Sequence, residues 1–151
     1  MRRASSSAIF ADGGCHLKLA CSALILLIAS TGCKSPTPAE QLQTVGSWLA
    51  TADMTAQAWL NHTTPEKYTR ETLDISSQTI ARTTTELDKT PPADLDIASL
   101  DSLLTRSGHR VRLLERMVAG RDAPAVRLEL DSLRIEEKLV RDLAERLKAK
   151  Q

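Results

Sequence analysis

The chain offers few residues whose types and spacing can do chemistry. It has three histidines and three cysteines in 151 residues. No H-x-x-x-H, H-E-x-x-H or C-x-x-C spacing occurs, so a protein-built zinc site has almost no ligands. The absence of C-x-x-C-H excludes covalent c-type haem. There is no G-x-S-x-G nucleophile turn, no phosphate-binding P-loop and no G-x-G-x-x-G. Two carboxylate pairs remain, Glu136-Glu137 within a helical stretch and Asp94/Asp96 at a helix start, where solvation and capping are their expected roles. Asn61-His62-Thr63 has the form of a glycosylation acceptor, a modification of a different cell type. Neither an enzyme nor a metal protein is expected.

The elements that must position these groups are helical. Thr37-Pro38-Ala39-Glu40 combines a Thr N-cap, a Pro in the first turn and a Glu at the third position, the pattern of a capping box. Thr64-Pro65-Glu66 repeats the Thr-Pro-Glu start, Pro91-Pro92 with Asp94 marks another boundary, and Gly120 followed by Asp122-Ala123-Pro124 a stop and a fourth start. The resulting segments run over about 38–61, 65–89, 94–119 and 123–149. Apolar residues recur at steps of three and four: Leu42, Val45, Leu49, Ala52, Ala56 and Trp59 in the first, Ile97, Leu100, Leu104, Val111, Leu114 and Val118 in the third, and Val126, Leu130, Leu133, Val140, Ala144 and Leu147 in the fourth. In the second, Leu73, Ile80 and Leu87 alternate with Ser76 and Thr83, and Thr83-Thr84-Thr85 lowers helix propensity.

Segments of similar length joined by short loops predict an all-α fold, an up-down-up-down antiparallel four-helix bundle. Gly108 beside Ser107 makes a dip in the third segment that a bulky side chain, Trp48 or Trp59, is expected to fill. Aromatics at 3% argue against β-sandwiches and barrels and leave few stacking platforms for single-stranded nucleic acid. A formal net charge of +1 lacks the basic excess of a DNA-binding domain.

Two features point to surfaces. The fourth segment has an apolar arc of roughly 200°, wider than one bundle face needs, and its surplus residues are Leu128, Ile135 and Leu139. Charge is also uneven: residues 34–105 hold 5 basic and 10 acidic side chains, residues 106–151 hold 12 and 8. Within the basic part, Arg106 and Arg110 share one helix face and Arg112 and Arg116 another. Either the two halves attract each other at their rims, or the arginines hold an anionic headgroup, a glycan or an acidic protein.

The N-terminus reads as an address. Arg2, Arg3 and Lys18 precede the uncharged run Leu19–Ala29, which is too short to span a bilayer as a helix of about 20 residues. The run ends in Ala29-Ser30-Thr31-Gly32-Cys33, which resembles the lipobox of bacterial lipoprotein precursors, with Ser30 where Leu is usual. The resemblance covers residues 1–33 only. It implies a signal peptide over 1–32, cleaved before Cys33, with a diacylglyceryl group on the Cys33 sulfur and acyl chains as the contact with membrane. Residues 33–39 then form a lipidated, Pro-rich tether and residues 40–151 the bundle. Cys15 and Cys21 would leave with the signal, so the mature chain would hold neither a free thiol nor a disulfide. In Gram-negative relatives of this kind an Asp after the Cys retains the protein in the inner membrane; Lys34 stands there, which implies the outer membrane, facing the periplasm.

Periplasmic four-helix cytochromes hold non-covalent haem between an early Met and a His of the last helix; here Met54 is present but the last segment has no His. No cofactor is expected apart from the covalent lipid on Cys33. The expectation is therefore a lipid-anchored envelope bundle that binds a protein partner or itself, through Leu128, Ile135 and Leu139 and the arginines. The alternative is a small-ligand sensor or carrier with a core pocket near Ser76, Thr83, Ser107 and Gly108.

Overall fold

The computed structural model describes residues 35–89, 91 and 97–150. The expected signal peptide over 1–32, the expected lipidation site Cys33 and the expected cap Asp94 lie outside them. Four helices follow one another: α1 (Pro38–Leu60), α2 (Glu66–Lys89), α3 (Ile97–Ala119) and α4 (Ala123–Lys148). No strand occurs among the described residues. The architecture is an all-α, antiparallel four-helix bundle in which α1 pairs most extensively with α4 and α2 with α3.

Ion pairs and close approaches set the register. Arg70 meets Glu115 and Arg121 meets Glu66, so α2 and α3 run in opposite directions. Arg110–Glu129 and Arg106–Glu136 do the same for α3 and α4. On the remaining side Asp53 meets Arg134, and a Cβ placed on Gly46 would stand 4.0 Å from Val140 Cγ1, which makes α1 antiparallel to α4.

The first helix starts with a complete capping box: the Glu40 amide donates to Thr37 Oγ1 at 3.3 Å, and the Thr37 amide donates to Glu40 Oε2 at 2.7 Å. The second start differs from the expected pattern. Pro65 stands just outside α2 and its carbonyl accepts from the Thr69 amide at 3.1 Å, so Thr64 is one residue too early to act as its N-cap. Asp122 caps α4, its carboxylate accepting from the Ala125 amide at 3.1 Å.

Gly120 is not the left-handed residue that ends α3. Arg121 is, at φ 56°. The Arg121 amide donates to the Val118 carbonyl and the Asp122 amide to the Met117 carbonyl, the paired bonds of a Schellman turn. The end of α1 repeats it: His62, at φ 58°, donates to Trp59 and Thr63 donates to Ala58. Both left-handed positions are filled by residues with a Cβ, which costs roughly 1–2 kcal/mol each.

The core joins Leu42, Val45 and Leu49 of α1, Leu73 and Ile80 of α2, Leu104, Val111 and Leu114 of α3, and Val126, Leu133 and Val140 of α4, all buried. Each such aliphatic side chain contributes about 1.5–3 kcal/mol by leaving water. Buried Ser76, Thr84 and Ser107 sit among them because each hydroxyl donates to the carbonyl four residues earlier, at 2.7–2.9 Å. That internal bond removes the penalty for burying an unpaired hydroxyl. It is how the Ser/Thr-rich α2 supplies a core face.

The dip at Gly108 is not filled by tryptophan. A Cβ at Gly108 would meet Ile80 Cγ2 at 3.5 Å, so α2 occupies the space. Trp48 and Trp59 instead pack, partly buried, against the margin of the core. They belong to α1, which lies diagonally across the bundle from α3 and has little contact with it.

Candidate interaction surface on α3 and α4

In α4 the 3.6-residue period distributes apolar side chains over more than one face. Val126, Leu130, Leu133, Val140, Ala144 and Leu147 point inward and are buried. Leu128, Ile135 and Leu139, spaced by seven and four, form a separate stripe and are 73%, 65% and 45% exposed. At 100° per residue they stay within about 40° of one another. No described residue of this chain covers them as the core stripe is covered. Met54, Tyr68 and Ile75 are also exposed, but on α1 and α2.

Beside this stripe α4 meets α3 through an ionic cluster. Arg106 Nε donates to Glu136 Oε1 at 2.6 Å, and Arg110 Nε donates to the same oxygen at 2.8 Å. Arg110 Nη1 also donates to Glu129 Oε1 at 2.6 Å. The Glu136 side chain is only 5% exposed, whereas Arg106 and Arg110 keep contact with water at 52% and 27%. The second carboxylate oxygen, Oε2, is buried and has no hydrogen-bond partner among the described residues. The cluster thus tolerates a buried anion by surrounding one oxygen with two guanidiniums, whose far ends remain hydrated.

The hydrogen bonds that Arg110 donates to Glu136, then to Glu129, raise its pKa above its ordinary value and outweigh the desolvation that opposes them. A group whose pKa rises on folding adds stability at every pH below its unfolded value, and that stability is lost only in strong alkali. The arginine therefore contributes no pH dependence across the physiological range.

These distances correct two expectations. Glu136 is not a solvated or capping carboxylate; it is the buried centre of the α3–α4 seam, while its neighbour Glu137 pairs with Arg141 along α4. Arg106 and Arg110 are not free to hold an anion, because α4 already neutralises them. The basic second half is partly matched within itself, through α3 and α4. Attraction between the halves appears as well, in Arg70–Glu115, Arg121–Glu66 and Arg134–Asp53.

The suggested surface residues therefore divide. Leu128, Ile135 and Leu139 border the seam that holds Arg106 and Arg110. Arg112 and Arg116 lie elsewhere on α3, exposed and without an ion pair among the described residues. Arg112 lines a shallow groove of about 320 Å³ between α2 and α3, together with Thr84, Thr85, Asp88, Asp101 and His109.

That groove is not the core pocket expected near Ser76, Thr83, Ser107 and Gly108. Gly108 does border the groove, but Ser76, Thr83 and Ser107 are buried and do not line it, and Ile80 lies against Gly108. Among the described residues no group of three or more His, Cys, Asp or Glu is placed to hold a metal ion. Among those residues no helix is long and apolar enough to cross a membrane.

Sequence reasoning missed the role of Glu136, although a signal was present. Glu136 falls three residues after Leu133 and four before Val140, on the core stripe itself. No family model, curated protein or solved structure matches the chain.

Proposed function

We propose that this protein is a lipid-anchored helical bundle of a bacterial cell envelope that works by binding protein and performs no chemistry of its own. The observation that carries the reading is the α4 stripe: Leu128, Ile135 and Leu139 remain exposed on a helix that has already filled its share of the core. Large aliphatic side chains aligned on one face, beside an ionic seam whose arginines are already paired within the chain, favour a protein contact over a small-molecule site. The Ala29–Cys33 lipobox supports the anchor, and residues 34–37 supply a tether of at most about 14 Å. Lys34 after the lipidated Cys favours the outer membrane, facing the periplasm.

The anchor is tested by the intact mass of protein extracted from its membrane. A chain that begins at Cys33 and carries acyl mass is expected; a chain that begins at Met1 without lipid overturns the address. The surface is tested by placing a photo-cross-linking phenylalanine analogue at Ile135 in the full chain. A covalent adduct with a protein is expected in intact cells, and its loss when Leu128→Asp and Leu139→Asp are added. Absence of any protein adduct overturns the contact assignment.

A further inference from the structure

We propose that the α4 stripe is covered by a second copy of this chain, docked with the two α4 helices antiparallel across a two-fold axis near residues 133–135. The proposal rests on the protein-binding reading above and names the partner of that surface.

Along one flank, roughly 40–100° from the stripe's axis, stand Arg127, Asp131, Lys138 and Asp142 in the order plus, minus, plus, minus, with Glu145 following near the end of the helix. Toward α3, and next to it along α4, the helix settles its charges inside the chain, in Glu129, Glu136, Glu137 and Arg141, while Glu145, Arg146 and Lys148 at its C-terminal end have no ion pair among the described residues. On this flank Arg127, Lys138 and Asp142 have no ion pair among the described residues. Asp131 has only Arg134, three residues on, and its side chain is 75% exposed.

An alternating order of this kind is complementary to its own reverse. In an antiparallel helix pair each flank faces the same flank of the other copy. Reversal sets Asp131 against the second copy's Lys138 and Arg127 against its Asp142, and each contact occurs twice. The apolar side chains agree with the same arrangement. A nearly identical register places Leu128 opposite the second copy's Leu139, and Ile135 opposite its Ser132. Ser132 is small and half-buried, and leaves room for the isoleucine.

A bilayer surface fits less well, because a helix face that lies on lipid carries Lys and Arg beside its apolar residues. Here Asp131 and Asp142 border the stripe. Three aliphatic side chains per copy are few against the roughly 800 Å² per partner of a stable dimer in solution. Membrane anchoring supplies the missing concentration, since tethered copies meet at a far higher effective concentration than free ones. The pairing is therefore one that forms on the membrane.

The test uses the full chain in its own membrane. Two differently tagged copies are co-expressed, one with Leu128→Cys and the other with Leu139→Cys, and treated with a short bismaleimide. The parent chain with Cys15, Cys21 and Cys33 gives the background. The mixed pair is expected to cross-link at least fivefold more than either variant with itself, because equal positions lie about 16 Å apart along the axis. In that background Asp131→Lys and Lys138→Asp each lower the cross-linked fraction severalfold, and the double exchange restores it.

A cross-link of Leu128→Cys with itself that exceeds the mixed one overturns the antiparallel arrangement, as does a double exchange without recovery. An adduct at Ile135 with a different protein overturns self-association and leaves the protein-binding reading standing. No adduct of any kind overturns both. All the substituted positions are on the surface, and unchanged thermal unfolding by circular dichroism separates lost pairing from lost fold.

Discussion

The third helix is held on its two sides by opposite means. Toward α2 the buried contact closes on a small residue, Gly108, which lets Ile80 approach to 3.5 Å of a notional Cβ, and the ion pairs Arg70–Glu115 and Arg121–Glu66 lie at its rim. Toward α4 the contact is made of long charged side chains, with Arg106 and Arg110 converging on one oxygen of buried Glu136. The small-residue seam depends on fit and loses energy when volume changes. The ionic seam depends on charge balance, and is strongest as evidence of what happens when one partner is removed.

Breaking the ionic seam from the arginine side should have the largest effect. Arg106→Ala with Arg110→Ala leaves the Glu136 carboxylate buried without compensation, and we expect a loss of about 3–5 kcal/mol in urea-monitored unfolding. The comparison is sharpened by adding Glu136→Leu to that double variant. Most of the loss should return, because an apolar side chain of similar size suits a site that has no remaining cations. A triple variant no more stable than the double one would mean that the seam works by packing, not by charge.

On the opposite side, Ile80→Ala empties the space against Gly108 and should cost about 2–4 kcal/mol in the same measurement. Gly108→Leu overfills that space and should cost about 1–3 kcal/mol. Gly108→Ala should behave differently. Its Cβ would meet Ile80 at ordinary contact distance, and Ala favours helix over Gly by about 1 kcal/mol, so a neutral or stabilising change is expected. A destabilised Gly108→Ala would show that the seam is tighter than the geometry allows.

The smallest effects concern the two turns that join the helices at one end of the bundle. His62→Gly relieves a left-handed residue and should raise stability by about 0.5–1 kcal/mol, read as a higher melting temperature. Arg121→Gly should gain less, because it also removes the exposed pair with Glu66. Equal gains would mean that this pair contributes nothing.

Much of this fold is legible in the residues. The Thr37–Glu40 capping box and the Asp122 cap are local, made within three residues of the chain, so short-range chemistry suffices to place them. The inward stripes of α1, α3 and α4 follow from the helical period alone. The same period, applied to Glu136, contains its burial, but burial of a carboxylate becomes acceptable only once Arg106 and Arg110 stand opposite. Their separation from Glu136 is 30 and 26 residues, and no local pattern carries that contact.

Ile80 at Gly108 has the same origin. A dip on a helix announces that something large can fill it, but which helix lies next to it is a property of the packed bundle. The tryptophans are large enough for the site and sit on the wrong neighbour.

The sequence by itself determined the helical class, the number of helices, their main punctuation and the surplus of apolar side chains on α4, because each depends on steps of three, four and seven along one chain. Only the tertiary structure decided which charges are spent inside the molecule and which are left outside. Ion pairing depends on the register between helices, and that register is set by the whole core at once.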